Sequence, residues 1–177
     1  LYHFPDALLF FRRRVYRIRK NANKGRIFQM AGGIVNKMKE LVRGNNTCVL
    51  ATTFKDKPHC SLMVYVADED CGEIYMVTHR DTTKYRNLLK NPSVSLLIDT
   101  RAENPGEKRS EAKALTVAGE FQAVDDEEKK QMVLKKMLNV HPHLKGFLHD
   151  AGAEICSVKI KSFLLLEGVS NAYFESV

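Results

Sequence analysis

Three β-rich segments joined by short turns constrain the fold of this chain most. Residues 47–54 are rich in β-branched side chains, residues 59–66 alternate between two faces, and residues 73–78 form a third, largely apolar run. Lys-Asp-Lys-Pro at 55–58 and an acidic, glycine-containing segment at 68–72 mark the turns between them. Because such short connections usually join antiparallel neighbours, the pattern predicts an antiparallel meander.

Three more strands are predicted further along the chain, at residues 94–99, 114–124 and 155–166. Gly119 predicts a β-bulge within the second of these strands. Six short strands without regular β-α-β alternation favour a small antiparallel barrel, since closure removes exposed strand edges. The sequence therefore predicts a mainly β, α+β fold, a six-stranded antiparallel barrel flanked by short helices.

Apolar spacing and capping residues predict the helices. Residues 34–42 have helical apolar spacing, and residues 82–90 form a second helix with Thr82 as its N-cap. Asn91-Pro92 ends that helix, because proline disfavours the α conformation of the residue before it. A third helix is predicted to begin at Asp125 and a fourth to run from Pro142 to Gly152.

The positive charge of the chain lies in its first residues. The net charge is +7, and residues 1–29 contain eight basic residues and one acidic residue, so residues 30–177 are balanced. We predict that residues 1–29 are a basic arm that is disordered or not native, with Met30 as a candidate natural start, and that residues 30–177 form one domain. A nucleic-acid- or membrane-binding arm is the alternative. The neutral body predicts no nucleic-acid or membrane partner.

The cysteines are spread singly along the chain and form no C-x-x-C pair. This spacing argues against a zinc ribbon or a redox dithiol and predicts free thiols in the cytoplasm. His141-x-His143 is the only local histidine cluster, and beside Pro142 it is more typical of a turn at a helix start than of a metal site. We therefore predict no metal, and no apolar run approaches the roughly 20 residues that would span a bilayer.

Residues 78–84, Thr-His-Arg-Asp-Thr-Thr-Lys, contain the most suggestive chemistry. They lie between a predicted strand end and a helix start, where unpaired backbone N–H groups and the helix dipole attract anions. Three threonine hydroxyls could donate to phosphate oxygens, and an arginine and a lysine could add charge-assisted bonds. Capping threonines and surface lysines are the alternative interpretation. The candidates are Thr78, Arg80, Thr82, Thr83 and Lys84.

Three segments together resemble a known family. They are Pro-His-Cys-Ser-Leu-Met at 58–63, Ile-Tyr-Met-Val-Thr at 74–78, and the helix, proline stop and strand at 82–99. From Met30 to about Leu166 the order of elements resembles the pyridoxamine 5'-phosphate oxidase-like FMN-binding split-barrel family. The resemblance implies a split barrel that forms a homodimer, with FMN at the subunit interface.

The resemblance also implies positions for cofactor binding. The phosphate would be bound by Thr78, Thr83 and Lys84, at the strand end and the helix start that follows it. The strand along the flavin would contribute mostly backbone groups. This strand comprises Cys60, Ser61, Leu62 and Met63, with His59 and Arg80 as neighbours of the site.

Some positions depart from the family pattern. True pyridoxamine phosphate oxidases carry an arginine where Cys60 falls and a glutamine where Ala114 falls, and this chain has no tryptophan and no C-terminal Arg-x-His pair. These departures argue against pyridoxamine phosphate as the substrate. The function expected is an FMN-dependent oxidoreductase acting on an unidentified small molecule, with NAD(P)H a candidate donor and no catalytic residue assigned. A non-catalytic flavin- or haem-binding carrier is the alternative.

Overall fold

A computed structural model describes residues 24–168 and 171–177, with side chains from residue 32 onward. Two short 3-10 helices, Gly106–Glu111 and Pro142–Leu144, lie in connections between the main elements. The α-helices are α1 (Lys24–Gly44), α2 (Thr83–Lys90), α3 (Glu127–Val140) and α4 (Lys145–Leu148). The strands are β1 (Thr47–Phe54), β2 (Lys57–Val64), β3 (Val66–Ala67), β4 (Glu73–His79), β5 (Ser93–Asp99), β6 (Lys113–Ala123), β7 (Ala153–Glu167) and β8 (Asn171–Ser176).

Two helix predictions need correction. Helix α1 begins at Lys24, ten residues before the predicted start at Ile34, so it includes the end of the predicted basic arm. The rest of that arm, residues 1–23, lies outside the described residues. The chain divides into two compact units after Lys37, and the second unit, Met38–Val177, contains all of the strands. The single helix predicted from Pro142 is instead a 3-10 turn followed by the four-residue α4.

All strand pairs are antiparallel, and the described part of the chain has eight strands rather than the predicted six. The sheet order is β2-β1-β5-β6-β7-β4-β3, and β8 pairs with β7 beyond the part of β7 that pairs with β4. The predicted meander is therefore wrong in one respect. Strand β4 pairs with β3 and β7 rather than following β2 in the sheet.

Chain connectivity makes this sheet curl. Strands β2 and β3 are at opposite ends of the strand order, yet only Tyr65 separates them in sequence. The two ends of the sheet must therefore come together at Tyr65, whose backbone N–H donates to Asn46 O at 2.9 Å. The result is the predicted mainly β split barrel, with a seam between β2 and β4.

The core of the barrel is made by alternate residues of its strands. Tyr65 is almost completely buried, and its hydroxyl donates to Val42 O at 2.8 Å, which ties the end of α1 to the seam. A second apolar cluster packs α3 and α4 against β3 and β4, and it comprises Val66, Tyr75, Val77, Val133, Met137 and Leu148. His141 is buried beside this cluster with Nε2 3.2 Å from Tyr65 O, so its ring has a backbone partner.

Two local sequence signals, the Thr82 cap and the Gly119 bulge, are confirmed. Thr82 caps α2, and its side chain accepts a hydrogen bond from Tyr85 N. The register of β6 against β7 shifts between Ala118 and Gly119, which is the predicted bulge. A Cβ at Gly119 would lie 2.9 Å from Lys159 O, so the bulge brings the two backbones too close for a side chain. Within the described residues, no helix is long and apolar enough to cross a membrane.

Candidate functional site

The predicted anion-binding turn joins β4 to α2. Thr78 is the penultimate residue of β4 and pairs with Glu154 of β7, which makes it 2% exposed. The turn itself is short, because β4 ends at His79 and α2 begins at Thr83. The structure therefore places the predicted threonines and Lys84 together at one end of the barrel.

The threonine hydroxyls have different roles. The Thr82 hydroxyl donates to His79 O at 2.8 Å and accepts from Tyr85 N at 3.3 Å. Because its one proton is used in this way, the Thr78 hydroxyl must be the donor in the 3.2 Å contact between the two oxygens. Thr82 is thus a helix cap, and Thr78 supports it. Thr83 is exposed at the first position of α2.

The two basic side chains of the turn also differ. Arg80 pairs with Glu154 Oε1 at 2.9 Å and donates to Ala151 O at 2.8 Å, so its guanidinium is held against the start of β7. Lys84 is half-buried, and within the described part of the chain no carboxylate or carbonyl pairs with its ammonium. Lys84 is therefore the cation of the turn that remains available to a ligand.

Lys84 is close to the barrel wall. The pKa of the Cys156 thiol is raised to about 12, mainly by burial and also by the charge of Glu154, while the charge of Lys84 acts in the opposite direction. Cys156 pairs with Met76 of β4 and is 1% exposed. The ammonium thus lies near β7, at the first turn of α2.

This end of α2 has the donors that a phosphate requires. Thr82 accepts hydrogen bonds from Tyr85 N and Arg86 N. The N–H groups of Thr83 and Lys84, the first two of the helix, have no partner within the helix and can donate to a ligand. The Thr83 hydroxyl and the Lys84 ammonium extend in the same first turn. Backbone N–H groups, a hydroxyl and an ammonium at a helix N-terminus form a donor set that fits a phosphate monoester.

The predicted flavin-side residues of β2 are divided between its two faces. Met63 is 7% exposed in the core, and on the same face the Ser61 hydroxyl lies 3.2 Å from His59 Nε2. Cys60 and Leu62 are on the outer face, where Cys60 is exposed and Leu62 is 79% exposed. The strand is at one end of the sheet order, so its backbone is accessible along one edge.

Asn87 links the anion-binding turn to β2, and sequence reasoning did not identify it as a site residue. Its side-chain amide donates to Thr52 Oγ1 at 3.1 Å, and Thr52 contacts His59 O across the β1–β2 pair. Asn87 and Thr52 are both buried. Asn87 is one helical turn after Lys84, so this bond ties α2 to β1, and the contact of Thr52 with His59 O continues the link to β2. The signal available in the sequence was a polar residue next to Leu88 in an amphipathic helix, which the structure shows to be buried.

The outer face of the sheet is broad and uncharged along two adjacent rows. Directly paired residues point to the same face of a sheet, and residues two apart on a strand do likewise. The first row is Leu62, Val49, Leu97, Thr116, Leu164 and Phe174. The second row is Cys60, Ala51, Ser95, Ala118, Ser162 and Ser176.

Comparison with known proteins identifies relatives of this architecture. The family model described as pyridoxamine 5'-phosphate oxidase matches residues 34–152. A pyridoxamine 5'-phosphate oxidase homolog of Schizosaccharomyces pombe is 32% identical over a stretch covering 45% of this chain. That stretch spans 46% of the relative's own length.

Solved structures share the fold at low sequence identity. A haem-binding protein of Mycobacterium smegmatis superposes with a TM-score of 0.68 at 16% identity, covering 78% of this chain and 57% of that one. An FAD-binding protein of Mesorhizobium loti has a TM-score of 0.60 at 16% identity, covering 73% of this chain and 91% of that one. At such identities the likeness establishes the fold alone.

Proposed function

Because the chain belongs to the pyridoxamine 5'-phosphate oxidase family, we propose that it is an FMN-binding flavoprotein and an FMN-dependent oxidoreductase. The observation that carries the proposal is the half-buried ammonium of Lys84 at the first turn of α2, which has no carboxylate partner among the described residues. A lysine left unpaired beside free helix N–H groups is suited to a phosphate. FMN, when bound, supplies hydride-transfer chemistry.

The chain's own residues would bind and orient the cofactor. Thr83 and Lys84 hold the phosphate, while Thr78 and Thr82 keep the turn in shape through their mutual contact. The exposed edge of β2 offers backbone groups to the ring system, and Leu62 offers an apolar wall. We assign no general acid or base among these residues.

We also propose that the active form is a homodimer that buries the outer sheet face. The two uncharged rows extend from β2 to β8, and Leu62 and Phe174 at their ends are 79% and 47% exposed. An exposed, uncharged and largely apolar surface of this kind commonly marks an interface. A second copy would place its own residues beside Cys60 and Leu62, at the edge where we place the flavin.

The substrate would be a small molecule, with NAD(P)H as a candidate electron donor. Cys60 and Ala114 stand where pyridoxamine phosphate oxidases have arginine and glutamine, so we propose a substrate other than pyridoxamine phosphate. We place the protein in the cytoplasm, because its four cysteines, all in the described residues, are unpaired, as expected of thiols in a reducing compartment.

Replacing Lys84 with alanine tests the phosphate site. We expect FMN binding to weaken by about 1.5–3 kcal/mol, the usual range for a hydrogen bond to a charged group, or roughly 10–150-fold in Kd. Flavin fluorescence titration measures the change. Lys90→Ala is the matched control, because Lys90 is exposed in the last turn of the same helix.

Equal FMN affinity of Lys84→Ala and the wild-type protein would show that the phosphate binds elsewhere. A purified protein that is colourless and also fails to bind added FMN would overturn the proposed function itself. Bleaching of the bound flavin by NADH or NADPH would distinguish an oxidoreductase from a carrier.

Haem binding is the second candidate, suggested by the fold it shares with the haem-binding protein of Mycobacterium smegmatis. Haem requires an axial ligand, commonly histidine. His141 is buried against Tyr65 O, and His79 lies between two carboxylates. His143 and His149 are exposed. A Soret band after haem addition that disappears in a histidine variant would favour this candidate over the flavin.

A further inference from the structure

The loop before β7 and the first residues of β7 bind the anion-binding turn through hydrogen bonds and an ion pair. Arg80 N donates to Gly152 O at 2.9 Å, and the Arg80 guanidinium binds Ala151 O and Glu154 Oε1 at 2.8 and 2.9 Å. These contacts join segments more than 70 residues apart in the sequence. The position of the turn therefore depends on residues 150–154, which are the end of this loop and the start of β7, as well as on β4.

The side chain of His79 also contacts this loop, at Asp150 and Gly152. Its Nδ1 accepts a hydrogen bond from Asp81 N at 3.3 Å, so in the neutral ring the proton is on Nε2. Nε2 lies 3.4 Å from Asp150 Oδ1, and that oxygen accepts a hydrogen bond from Gly152 N at 2.7 Å. The ring is thus placed between the start of α2 and the loop.

The backbone of Gly152 lies directly against the His79 ring. A Cβ at Gly152 would overlap the imidazole, because the ring lies directly against the glycine backbone. The His79 ring occupies the space that a side chain at Gly152 would take, and the φ angle of Gly152 is not positive. Any larger residue would push His79 away from Asp150.

The His79 backbone transmits this placement to α2. Its carbonyl oxygen accepts from both Thr82 N, at 3.1 Å, and Thr82 Oγ1, at 2.8 Å. Thr82 in turn caps α2 through Tyr85 N. A movement of the His79 backbone would shift this cap, and with it the N–H groups of Thr83 and Lys84.

We propose that His79, Asp150 and Gly152 are positioning residues that set the geometry of the phosphate site without touching the phosphate. The inference rests on the proposed function, since it concerns the same site. It predicts an effect on binding of the phosphate group alone. Riboflavin, which lacks the phosphate, provides the comparison that isolates this effect.

The test measures the dissociation constants of FMN and riboflavin for Gly152→Ala and Asp150→Asn by fluorescence titration. We expect FMN to bind about tenfold more weakly to Gly152→Ala, with riboflavin unchanged, because part of a charge-assisted bond is lost. Gly146→Ala is the matched control, since a Cβ at Gly146 meets no atom within 4 Å. In a His79→Ala background, Gly152→Ala should have no further effect on FMN, because the overlapping ring is gone.

The outcomes separate the two proposals. A wild-type protein that binds FMN no more tightly than riboflavin overturns the phosphate site and this inference together. A wild-type preference for FMN that Gly152→Ala and Asp150→Asn leave intact overturns only the inference. Equal weakening of both ligands also overturns it, since that pattern indicates a general loss of structure. If Gly152→Ala does not fold, the FMN and riboflavin affinities of Asp150→Asn and of the His79→Ala, Gly152→Ala double variant decide whether the inference stands.

Discussion

Replacing Leu62 with serine tests the proposed dimer at its most exposed apolar residue. Leu62 is 79% exposed in the single chain, so about four-fifths of its side chain remains to be buried by a partner. Full burial of a leucine contributes about 1.5–3 kcal/mol, which leaves about 1.2–2.4 kcal/mol for each copy. Two-fold symmetry counts the residue twice, giving about 2.4–4.7 kcal/mol per dimer. The dimer Kd should therefore rise by roughly two to three orders of magnitude.

Sedimentation velocity over a concentration series measures this change directly. Leu89→Ser is the matched control, because Leu89 is 57% exposed on α2 and lies outside the two outer-face rows. We expect the control to associate like the wild-type protein. The stability of the isolated chain should be nearly unaffected by Leu62→Ser, since the side chain is already largely in water. FMN affinity should fall together with dimerisation, because we place the flavin at the same edge.

Two results would refute the reasoning about the outer face. One is a wild-type protein that stays monomeric at every concentration tested, with or without FMN. The other is a Leu62→Ser variant that dimerises as tightly as the wild-type protein while Leu89→Ser does not. The second result would move the interface from the sheet to the helices.

Two further predictions follow from the titratable groups. Burial disfavours the charged form of Glu73, but hydrogen bonds from Lys129 and Ser157 outweigh it and lower the pKa of the carboxyl. This stabilisation is present above the ordinary glutamate pKa and is lost as pH falls through the lowered value. In urea unfolding, Glu73→Gln should therefore lower the free energy of unfolding by about 1–2 kcal/mol at pH 7 and by progressively less below about pH 4. A loss of stability that does not change with pH would contradict this. In protein diluted below the dimer Kd, where the outer sheet face is uncovered, a thiol reagent should label Cys60 first, because Cys60 is exposed in the single chain while burial raises the pKa of the other three thiols. Cys60→Ser should abolish this fast phase, and a fast phase that survives would place the reactive thiol elsewhere.

Local signals in the sequence were sufficient for most elements of the fold. β1 has the predicted bounds, and Thr82 caps α2 as its spacing before an apolar helix indicates. Gly119 marks the bulge because glycine within a strand commonly allows close backbone approach. Each of these features depends on residues a few positions apart, which is the range over which propensity and capping act.

The sequence did not predict which strands pair when they are far apart along the chain. Strand β2 follows β1 by a short turn, but nothing local indicates that β5 covers the other edge of β1 or that β4 pairs with β7. Alternation in β2 correctly groups Cys60 with Leu62, yet it does not tell which face is buried. The exposed face proved to be the one containing Leu62, which hydrophobicity alone would place inside.

The site illustrates the same limit. Sequence spacing treats Arg80 and Lys84 as equal sources of charge, and only the fold brings Glu154 to Arg80 and leaves Lys84 without a carboxylate among the described residues. Asp150 had no signal of its own and Gly152 was predicted only as the end of a helix, because their contact with His79 joins two distant segments.

This division between the two cations bears on what the turn can bind. With Arg80 paired to Glu154, the turn presents one ammonium without a carboxylate partner among the described residues, that of Lys84, together with the exposed carboxylate of Asp81 and the partial positive charge of the α2 N-terminus. Residues 30–177 are balanced in charge overall, so no wider positive field reinforces it. A polyanion would find a single anchoring point here and lose most of its attraction to salt. A small ligand with one phosphate can satisfy the lysine and the helix N–H groups at once, and it can gain further contacts along β2. The arrangement therefore favours a phosphorylated small molecule over a nucleic acid, and FMN is a ligand of this kind.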